Sequence, residues 1–295
     1  MKQPLAYIDP EAKIADNVVI EPFVTIDKNV VIGAGSRIRS NAVILAGTRI
    51  GENCTVFPGA VIGAEPQDLK FKGEDSLVII GDNTTIRECA TVHRGTASRG
   101  RTIIGDNCLI MAYCHVAHDC ILGNNIIMSN STQLAGEVEV DDFAVIGGGT
   151  LVHQFTHIGK HTMIQGGSKV TKDIPPFVTV GREPITYAGI NSIGLRRRGY
   201  TNEQINNVQD IYRLIYNSGL NISDAIANSN AISDERCKDL HNEDSINLVG
   251  AIAELNEYMY KYKQSAQKNP DLQSHHVDDD VHVLTSFNKF KSFAK

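Results

Sequence analysis

The chain of 295 residues contains no tryptophan, and aromatic residues make up only 6% of it. It has no run of about 18 consecutive apolar residues, so no membrane span is expected. The N-terminus lacks a basic segment followed by an apolar run, so no signal peptide is expected either. The formal net charge of −6 argues against general nucleic-acid binding. Neither a P-loop nor a dinucleotide-binding motif is present, and no cofactor is expected.

A branched or long aliphatic residue recurs at every sixth position over most of the first 170 residues, from Ile8 to Val170. A second series of mostly small residues lies two positions before the first. A helix repeats every 3.6 residues and a strand every two, so neither explains a period of six. A parallel β-helix of hexapeptides, three to a coil, does explain it. Residues 18 apart then lie above one another, separated by about 4.8 Å.

The six cysteines form no CxxC pair. Cys54, Cys108, Cys114 and Cys120 occupy the small inward position of the repeat, so we expect reduced core thiols, as in a cytoplasmic protein. Cys114 and Cys120 flank two histidines, which makes a zinc site the alternative. The inward register of the thiols and the outward register of the histidines argue against it, and no metal is expected.

The repeat breaks at residues 63–77 and 94–101, which are polar and contain glycine. Both segments are therefore expected to be loops ejected from the coil. Asp173-Ile174-Pro175-Pro176 should end the β-helix, because proline cannot donate to a sheet ladder. The expected β-helix domain thus spans residues 1–176.

An extended linker is expected over residues 177–199 and a helical domain over residues 200–264. Thr201 and Gln204 resemble a capping box at the start of its first helix, and apolar residues continue from Ile205 with a helical period. Residues 265–295 are polar and without clear period, which is typical of a loosely ordered tail.

The segment around His118 carries the chemistry. The register directs His115, His118 and Asp119 outward from the coil, and steps of 18 residues place Gly136 and Gln154 in line with His118. An imidazole can act as a general base, a neighbouring carboxylate can fix its tautomer, and a glycine permits a backbone N–H to approach developing charge. No nucleophile lies beside His118, which favours direct transfer to a substrate hydroxyl. An ordinary polar face of a solenoid is the alternative.

Arg196-Arg197-Arg198 forms a local basic patch in a chain of net negative charge. Three arginines can bind phosphates bidentately, so a nucleotide diphosphate or an acidic protein is the expected partner. A solvated helix entrance is the alternative. Gly147-Gly148-Gly149 lies within the coil series and is better explained by tight packing than by phosphate binding.

Several segments together resemble the UDP-N-acetylglucosamine O-acyltransferase family over roughly residues 1–260. They are QDLKFKGE, IRECATVHRGT, HVAHDC, LAGEVEVDDFAVIGG, VHQF, DIPPFV and GINSIGLRRRGY. The resemblance implies a mainly β protein: a left-handed parallel β-helix homotrimer with a C-terminal α-helical domain. It implies transfer of an (R)-3-hydroxyacyl chain from acyl carrier protein to the 3-hydroxyl of UDP-N-acetylglucosamine, which opens lipid A biosynthesis.

The resemblance also implies residue roles. The general base falls on His118, its orienting carboxylate on Asp119 and the backbone oxyanion donor on Gly136. Acyl length is gauged at the position of Gly166, where a glycine leaves room for a long chain. Substrate contacts fall on Gln67, Asp68, Lys70, His115, Glu137, His153, Gln154, Asn191, Arg197 and Arg198. The loop Gln67–Lys70 would reach the sugar nucleotide across a subunit interface. Glu137 departs from the family pattern, since many members have histidine there.

Three alternatives stand beside this interpretation. A related sugar N-acyltransferase typically has an extra N-terminal domain, for which the start of the coils at Ile8 leaves no room. A γ-class carbonic anhydrase needs three imidazoles on zinc, which His115, His118 and a third from another subunit could supply. It would leave the arginine triplet and the QDLK segment unexplained. A non-enzymatic scaffold is the third alternative.

Overall fold

A computed structural model describes residues 5–217 and 219. It forms two compact units, Met1–Lys160 with Ile164–Asp173 and His161–Met163 with Ile174–Lys295. The helices expected beyond residue 220 and the tail at 265–295 lie outside the described residues.

Short parallel strands of the first unit form three sheets, and consecutive strands fall on the three sheets in turn. Sheet 1 contains β1 (Tyr7–Ile8), β4 (Thr25–Ile26), β7 (Val43–Ile44), β10 (Val61–Ala64), β13 (Thr91–His93), β16 (His115–Val116), β19 (Gln133–Leu134), β22 (Leu151–Val152) and β25 (Lys169–Val170). Sheet 2 contains β2 (Lys13–Ile14), β5 (Val31–Ile32), β8 (Thr48–Ile50), β11 (Leu77–Ile80), β14 (Arg101–Ile104), β17 (Ile121–Leu122), β20 (Glu139–Val140) and β23 (His157–Ile158). Sheet 3 contains β3 (Val19–Ile20), β6 (Arg37–Ile38), β9 (Thr55–Val56), β12 (Thr85–Ile86), β15 (Leu109–Ile110), β18 (Ile127–Met128), β21 (Val145–Ile146) and β24 (Met163–Ile164).

The hexapeptide prediction is confirmed by the core. The large aliphatic residue of each repeat is buried from Ile20 to Val170, and the residues two positions earlier line the interior beside it. Ile8 and Ile14, in the first coil that the structure describes, are only half-buried. Cys54, Cys108, Cys114 and Cys120 are buried free thiols, as expected. Burial raises the pKa of Cys120 to about 12, which keeps this thiol protonated and inert.

Two insertions interrupt the coil without changing its phase. Val61 pairs with Thr91, 30 positions later, and Ile79 pairs with Ile103, 24 positions later, in place of the usual 18. The insertions therefore add whole multiples of six residues. The loops proper are residues 65–76 and 94–100, slightly shorter than the expected 63–77 and 94–101, because the flanking strands extend into the predicted breaks. Both loops leave the coil at the corner that follows sheet 1.

The second unit contains an antiparallel hairpin of β26 (Val178–Gly181) and β27 (Thr186–Ile190), followed by α1 (Ser192–Arg197) and α2 (Asn202–Asn217). The expectation of an extended linker over residues 177–199 was therefore wrong. Its residues pair locally as a hairpin, which a search for long periods does not detect. Neither of the two described helices has the length and apolarity that a membrane crossing requires.

The start of α2 agrees with the predicted capping box. The Thr201 N–H donates to Gln204 Oε1 at 2.7 Å, and the Gln204 N–H donates to Thr201 Oγ1 at 3.2 Å. Two otherwise unpaired donors at the helix start are thereby satisfied. The apolar stripe that begins at Ile205 is buried, and the hydroxyl of Tyr212 donates to the Pro176 carbonyl at 2.6 Å.

Candidate active site

His118, Gly136 and Gln154 lie at successive levels of the corner between sheets 1 and 2. The strands before them pair in register, His115 with Gln133 and Gln133 with Leu151. Backbone hydrogen bonds join the levels, from Glu137 N–H to the His118 carbonyl at 3.0 Å and from Phe155 N–H to the Gly136 carbonyl at 3.1 Å. The predicted vertical column is confirmed.

The imidazole of His118 is held by its neighbour in sequence. Nδ1 lies 2.9 Å from Oδ2 of Asp119, and no described residue forms a hydrogen bond with Nε2. With the proton on Nδ1 and donated to the carboxylate, Nε2 presents a lone pair. The hydrogen bond with Asp119 raises the pKa of His118, against desolvation, and the charges of Asp119, Asp68 and Glu137 raise it further. Such an arrangement would allow His118 to act as a general base with Asp119 as its orienting carboxylate.

Asp119 is fully buried, although the register directs it outward. Loop 94–100 covers it. Both carboxylate oxygens accept from the Thr96 N–H at 3.0 Å, Oδ2 accepts from the Thr96 hydroxyl at 2.6 Å, and Oδ1 accepts from the Arg99 N–H at 3.2 Å. Desolvation would raise the pKa of Asp119, but the bonds with His118, Thr96 and Arg99 outweigh it and lower that pKa. The carboxylate therefore stays ionised beside His118.

Gly136 offers an unoccupied backbone donor next to the imidazole. Among the described residues, no acceptor takes the Gly136 N–H, although that glycine is buried. A Cβ at this position would lie 2.5 Å from both Nε2 and Cε1 of His118. The glycine thus gives the ring its space and leaves an amide hydrogen beside it, as an oxyanion site requires.

Two further histidines lie beside the column on sheet 1. The rings of His93 and His115 pack edge to face with centroids 4.7 Å apart, and His115 Nδ1 lies 2.7 Å from the Thr91 hydroxyl. Desolvation lowers the pKa of His93 to about 4 and also lowers that of His115. Both rings are therefore neutral hydrogen-bonding groups near neutral pH. Sequence reasoning missed His93, whose position directly before the second insertion was the available signal.

Glu137 and Glu139 contact an arginine that sequence reasoning also missed. The Arg99 guanidinium places Nη2 2.7 Å from Glu139 Oε1 and Nε 3.9 Å from Glu137 Oε2. Loop 94–100 is thus bound both to the level of His118, through Asp119, and to the level of Gly136, through these acids.

Loop 65–76 leaves the same corner, two levels below His118. Gln67 and Lys70 are exposed, and the Asp68 carboxylate accepts from the Lys70 N–H at 2.9 Å. The Arg94 guanidinium lies 3.4 Å from the Glu65 carboxylate and stacks over the Phe71 ring, 5.3 Å from its centroid. These two contacts connect the inserted loops to each other.

The remaining sequence-predicted positions of the first unit lie further along the coil. His153 is exposed, with Nδ1 3.0 Å from the Gln154 carbonyl. Gly166 is exposed, and a Cβ there would meet the Gly148 carbonyl oxygen at 3.0 Å. Of the glycine triplet, Gly147 contacts the backbone of Gly166 so closely that a side chain has no space, and a Cβ on Gly148 would lie 3.1 Å from the Asn130 carbonyl oxygen, as the predicted tight packing requires. Gly149 has open space and a positive φ of 69°, so tight packing does not explain the third glycine.

Asn191, Arg197 and Arg198 belong to the second unit. Asn191 is buried and caps α1, since its Oδ1 accepts from the Gly194 N–H at 3.1 Å while its Nδ2 donates to the His161 carbonyl at 2.9 Å. Arg197 is exposed and Arg198 is half-buried. Asn191 therefore fixes the helix that carries the arginine triplet.

Comparisons with known proteins identify the family. An acyl-[acyl-carrier-protein]–UDP-N-acetylglucosamine O-acyltransferase of Pseudomonas syringae pv. syringae is 52% identical over 225 residues, 76% of this chain and 87% of its own length. The chain belongs to the UDP-N-acetylglucosamine O-acyltransferase family. The model of this family's second domain matches residues 173–267, the model of six bacterial transferase hexapeptide repeats matches residues 101–136, and that of the GMPPB C-terminal domain matches residues 2–99.

Solved structures of this O-acyltransferase family agree. LpxA of Bacteroides fragilis is 55% identical, with a TM-score of 0.78 over 85% of this chain and 96% of its own. The Francisella novicida enzyme is 39% identical, with a TM-score of 0.78 over 85% of this chain and 90% of its own. The fold is thus the family's left-handed parallel β-helix. Family membership sets aside the N-acyltransferase, carbonic anhydrase and scaffold alternatives. No group of three or more His, Cys, Asp or Glu within the described part of the chain could hold a metal ion.

Proposed function

We propose that this protein transfers an (R)-3-hydroxyacyl chain from acyl carrier protein to the 3-hydroxyl of UDP-N-acetylglucosamine, the first step of lipid A biosynthesis. One observation carries the catalytic part of the proposal: the open Nε2 of His118 and the open N–H of Gly136 stand side by side at one corner of the coil. Family membership supports the choice of substrates.

The chemistry proceeds by direct transfer. Nε2 of His118 accepts the proton of the sugar 3-hydroxyl, and the oxygen attacks the thioester carbonyl of the acyl donor. The Gly136 N–H donates to the oxyanion of the tetrahedral intermediate. When the intermediate collapses, the C–S bond breaks and the imidazolium returns its proton to the leaving thiolate. The products are the sugar ester and the free thiol of the carrier protein.

Substrate binding in this proposal follows the sequence resemblance. The contacts are assigned to Gln67, Asp68, Lys70, His115, Glu137, His153, Gln154, Asn191, Arg197 and Arg198. His115 contributes a neutral imidazole, because its pKa is lowered by desolvation. Arg197 and Arg198 supply positive charge for a diphosphate or for the acidic carrier protein. The acyl chain passes Gly166, where the absence of a side chain leaves room for it.

The assembly is proposed to be a homotrimer, with each site completed by loop 65–76 of a neighbouring copy. The protein is further proposed to act in the cytoplasm, and the free thiols of the described cysteines support this placement. Sedimentation velocity tests the assembly: a single species of three times the chain mass is expected, and a monomer that turns over at the full rate would contradict it.

The function is tested by incubating the protein with UDP-N-acetylglucosamine and (R)-3-hydroxyacyl carrier proteins of several chain lengths. Mass spectrometry should detect one acylated sugar nucleotide, and hydroxylamine should cleave its new bond because it is an ester. A parallel reaction with UDP-glucosamine as acceptor tests the alternative. Formation there of an amide, which resists hydroxylamine, would indicate an N-acyltransferase instead.

A further inference from the structure

Arg99 is the cation that loop 94–100 directs toward the column of His118 and Gly136. Its backbone N–H donates to Asp119, so the position of the residue is fixed by the carboxylate that orients His118. Its guanidinium extends to the next level of the coil, where it pairs with Glu139 at 2.7 Å and approaches Glu137 at 3.9 Å. One residue therefore spans both levels of the site.

The negative charge of Glu137 lies close to both His118 and Gly136. Glu137 directly follows Gly136, and its own N–H donates to the His118 carbonyl. A carboxylate at this position favours the imidazolium form of His118 and opposes the oxyanion that the Gly136 N–H must stabilise. In such a partly desolvated site, unit charges a few ångströms apart interact more strongly than they do in water.

We propose that Arg99 is a positioning residue for acyl transfer: its guanidinium is anchored by the hydrogen bond to Glu139, lies 3.9 Å from the Glu137 carboxylate, and offsets the charge of that carboxylate at His118 and at the oxyanion site. The proposal rests on His118 being the general base. It gives loop 94–100 two roles: Thr96 and the backbone N–H of Arg99 hold Asp119, and the side chain of Arg99 sets the charge at the adjacent level.

Other charged and titratable groups face His118 from each neighbouring element. Asp119 lies in its own turn, Asp68 belongs to loop 65–76, and His93 and His115 lie on sheet 1. The pKa of each of these two histidines lies below its usual range, so both are neutral where the enzyme operates. Replacement of Arg99 or Glu137 leaves Asp68 and Asp119 in the protein. Any shift of the pKa of His118 in these variants therefore reports on the Arg99–Glu137 pair.

The experiment measures kcat/KM against pH for Arg99→Gln, Glu137→Gln and the double variant. In Arg99→Gln no positive charge offsets the carboxylate of Glu137, so the pKa of His118 should rise. The acidic limb of the pH profile, where kcat/KM falls as His118 is protonated, should then move to higher pH by about 0.3 to 0.7 unit. Without the glutamate the limb should move down, and in the double variant it should return close to wild type. Arg99→Lys should keep the wild-type limb, because the positive charge is retained.

Arg101→Gln is the matched control. It removes an exposed arginine beside the same loop, and Arg101 forms no ion pair with any residue that the structure describes. The acidic limb of the pH profile of Arg101→Gln should coincide with that of the wild type. Glu139→Gln separates the charge of Arg99 from its anchoring of the loop. This variant keeps both Arg99 and Glu137, so the acidic limb of its pH–rate profile should not rise. If Arg99 only anchored the loop, Glu139→Gln would shift the limb as Arg99→Gln does.

A direct titration of His118 by NMR of its labelled Cε1 carbon distinguishes two kinds of failure. If the NMR pKa moves while the kinetic limb does not, the electrostatic role of Arg99 stands and the general-base role of His118 fails. If neither the NMR pKa nor the kinetic limb moves in Arg99→Gln and Glu137→Gln, the proposal for Arg99 is overturned.

Discussion

The His118 ring occupies the space in front of Gly136 where any other residue would carry its side chain. A Cβ on residue 136 would stand 2.5 Å from Nε2 and from Cε1 of that ring. Gly136 does not have a positive φ, so the glycine is required by space and not by backbone conformation. The His118 ring and the backbone of Gly136 are adjacent because position 136 has no side chain.

Gly136→Ala should therefore displace His118 without unfolding the coil. A misplacement of about 1 Å can reduce turnover roughly 100-fold, so kcat should fall by about this factor while the melting temperature changes little. Steady-state kinetics and thermal unfolding measure the two effects.

Gly149→Ala is the control for that substitution. Its added Cβ would meet no atom within 4 Å, although the positive φ of 69° adds about 1 kcal/mol of backbone strain. This variant should lose some stability and retain its kcat. Near wild-type turnover in Gly136→Ala would show that the ring accommodates a methyl group and that catalysis does not require a glycine at position 136.

Asp119→Asn should change both the rate and its pH dependence. Asp119 raises the pKa of His118, so its replacement lowers that pKa, and the acidic limb of kcat/KM should move to lower pH. The plateau should fall by about 10²- to 10⁴-fold, because an amide does not secure the same tautomer. A pH–rate profile with an unmoved limb would remove Asp119 from its assigned role.

Thr96→Val should destabilise the protein through the buried carboxylate. The substitution keeps the shape of the side chain but removes the 2.6 Å hydrogen bond to Asp119. A buried acceptor that loses a partner costs about 1–3 kcal/mol. Urea unfolding should detect this loss, whereas Ser98→Ala, at an exposed position of the same loop, should have little effect.

Gly166→Met should shift the donor preference toward shorter acyl chains. Each methylene that can no longer be buried costs about 0.8 kcal/mol, so donors four carbons apart should change in relative kcat/KM on the order of 100-fold. Gly167→Ala, at a neighbouring exposed position with open space around it, is the control: its positive φ of 73° adds about 1 kcal/mol of backbone strain, so it should lose some stability and keep the wild-type donor preference. An unchanged preference in Gly166→Met would separate this position from the acyl path.

The repeat made the column predictable, because a spacing of 18 residues converts sequence into position. His118, Gly136 and Gln154 are aligned as that spacing requires, and the capping box of Thr201 and Gln204 is a local pattern that forms as expected. Loop 94–100 follows no repeat, so the burial of Asp119 and the contacts of Arg99 could not be derived. The hairpin of β26 and β27 was missed for the same reason.

The decisive comparison for the catalytic role of His118 is acyl transfer by wild type and by His118→Ala, with the hydroxyacyl carrier protein and UDP-N-acetylglucosamine at saturating concentrations. General-base catalysis contributes about 10²- to 10⁴-fold, so the folded variant should retain at most about one hundredth of the wild-type kcat. A folded His118→Ala protein that keeps more than about a tenth of that rate would show that His118 is not the general base.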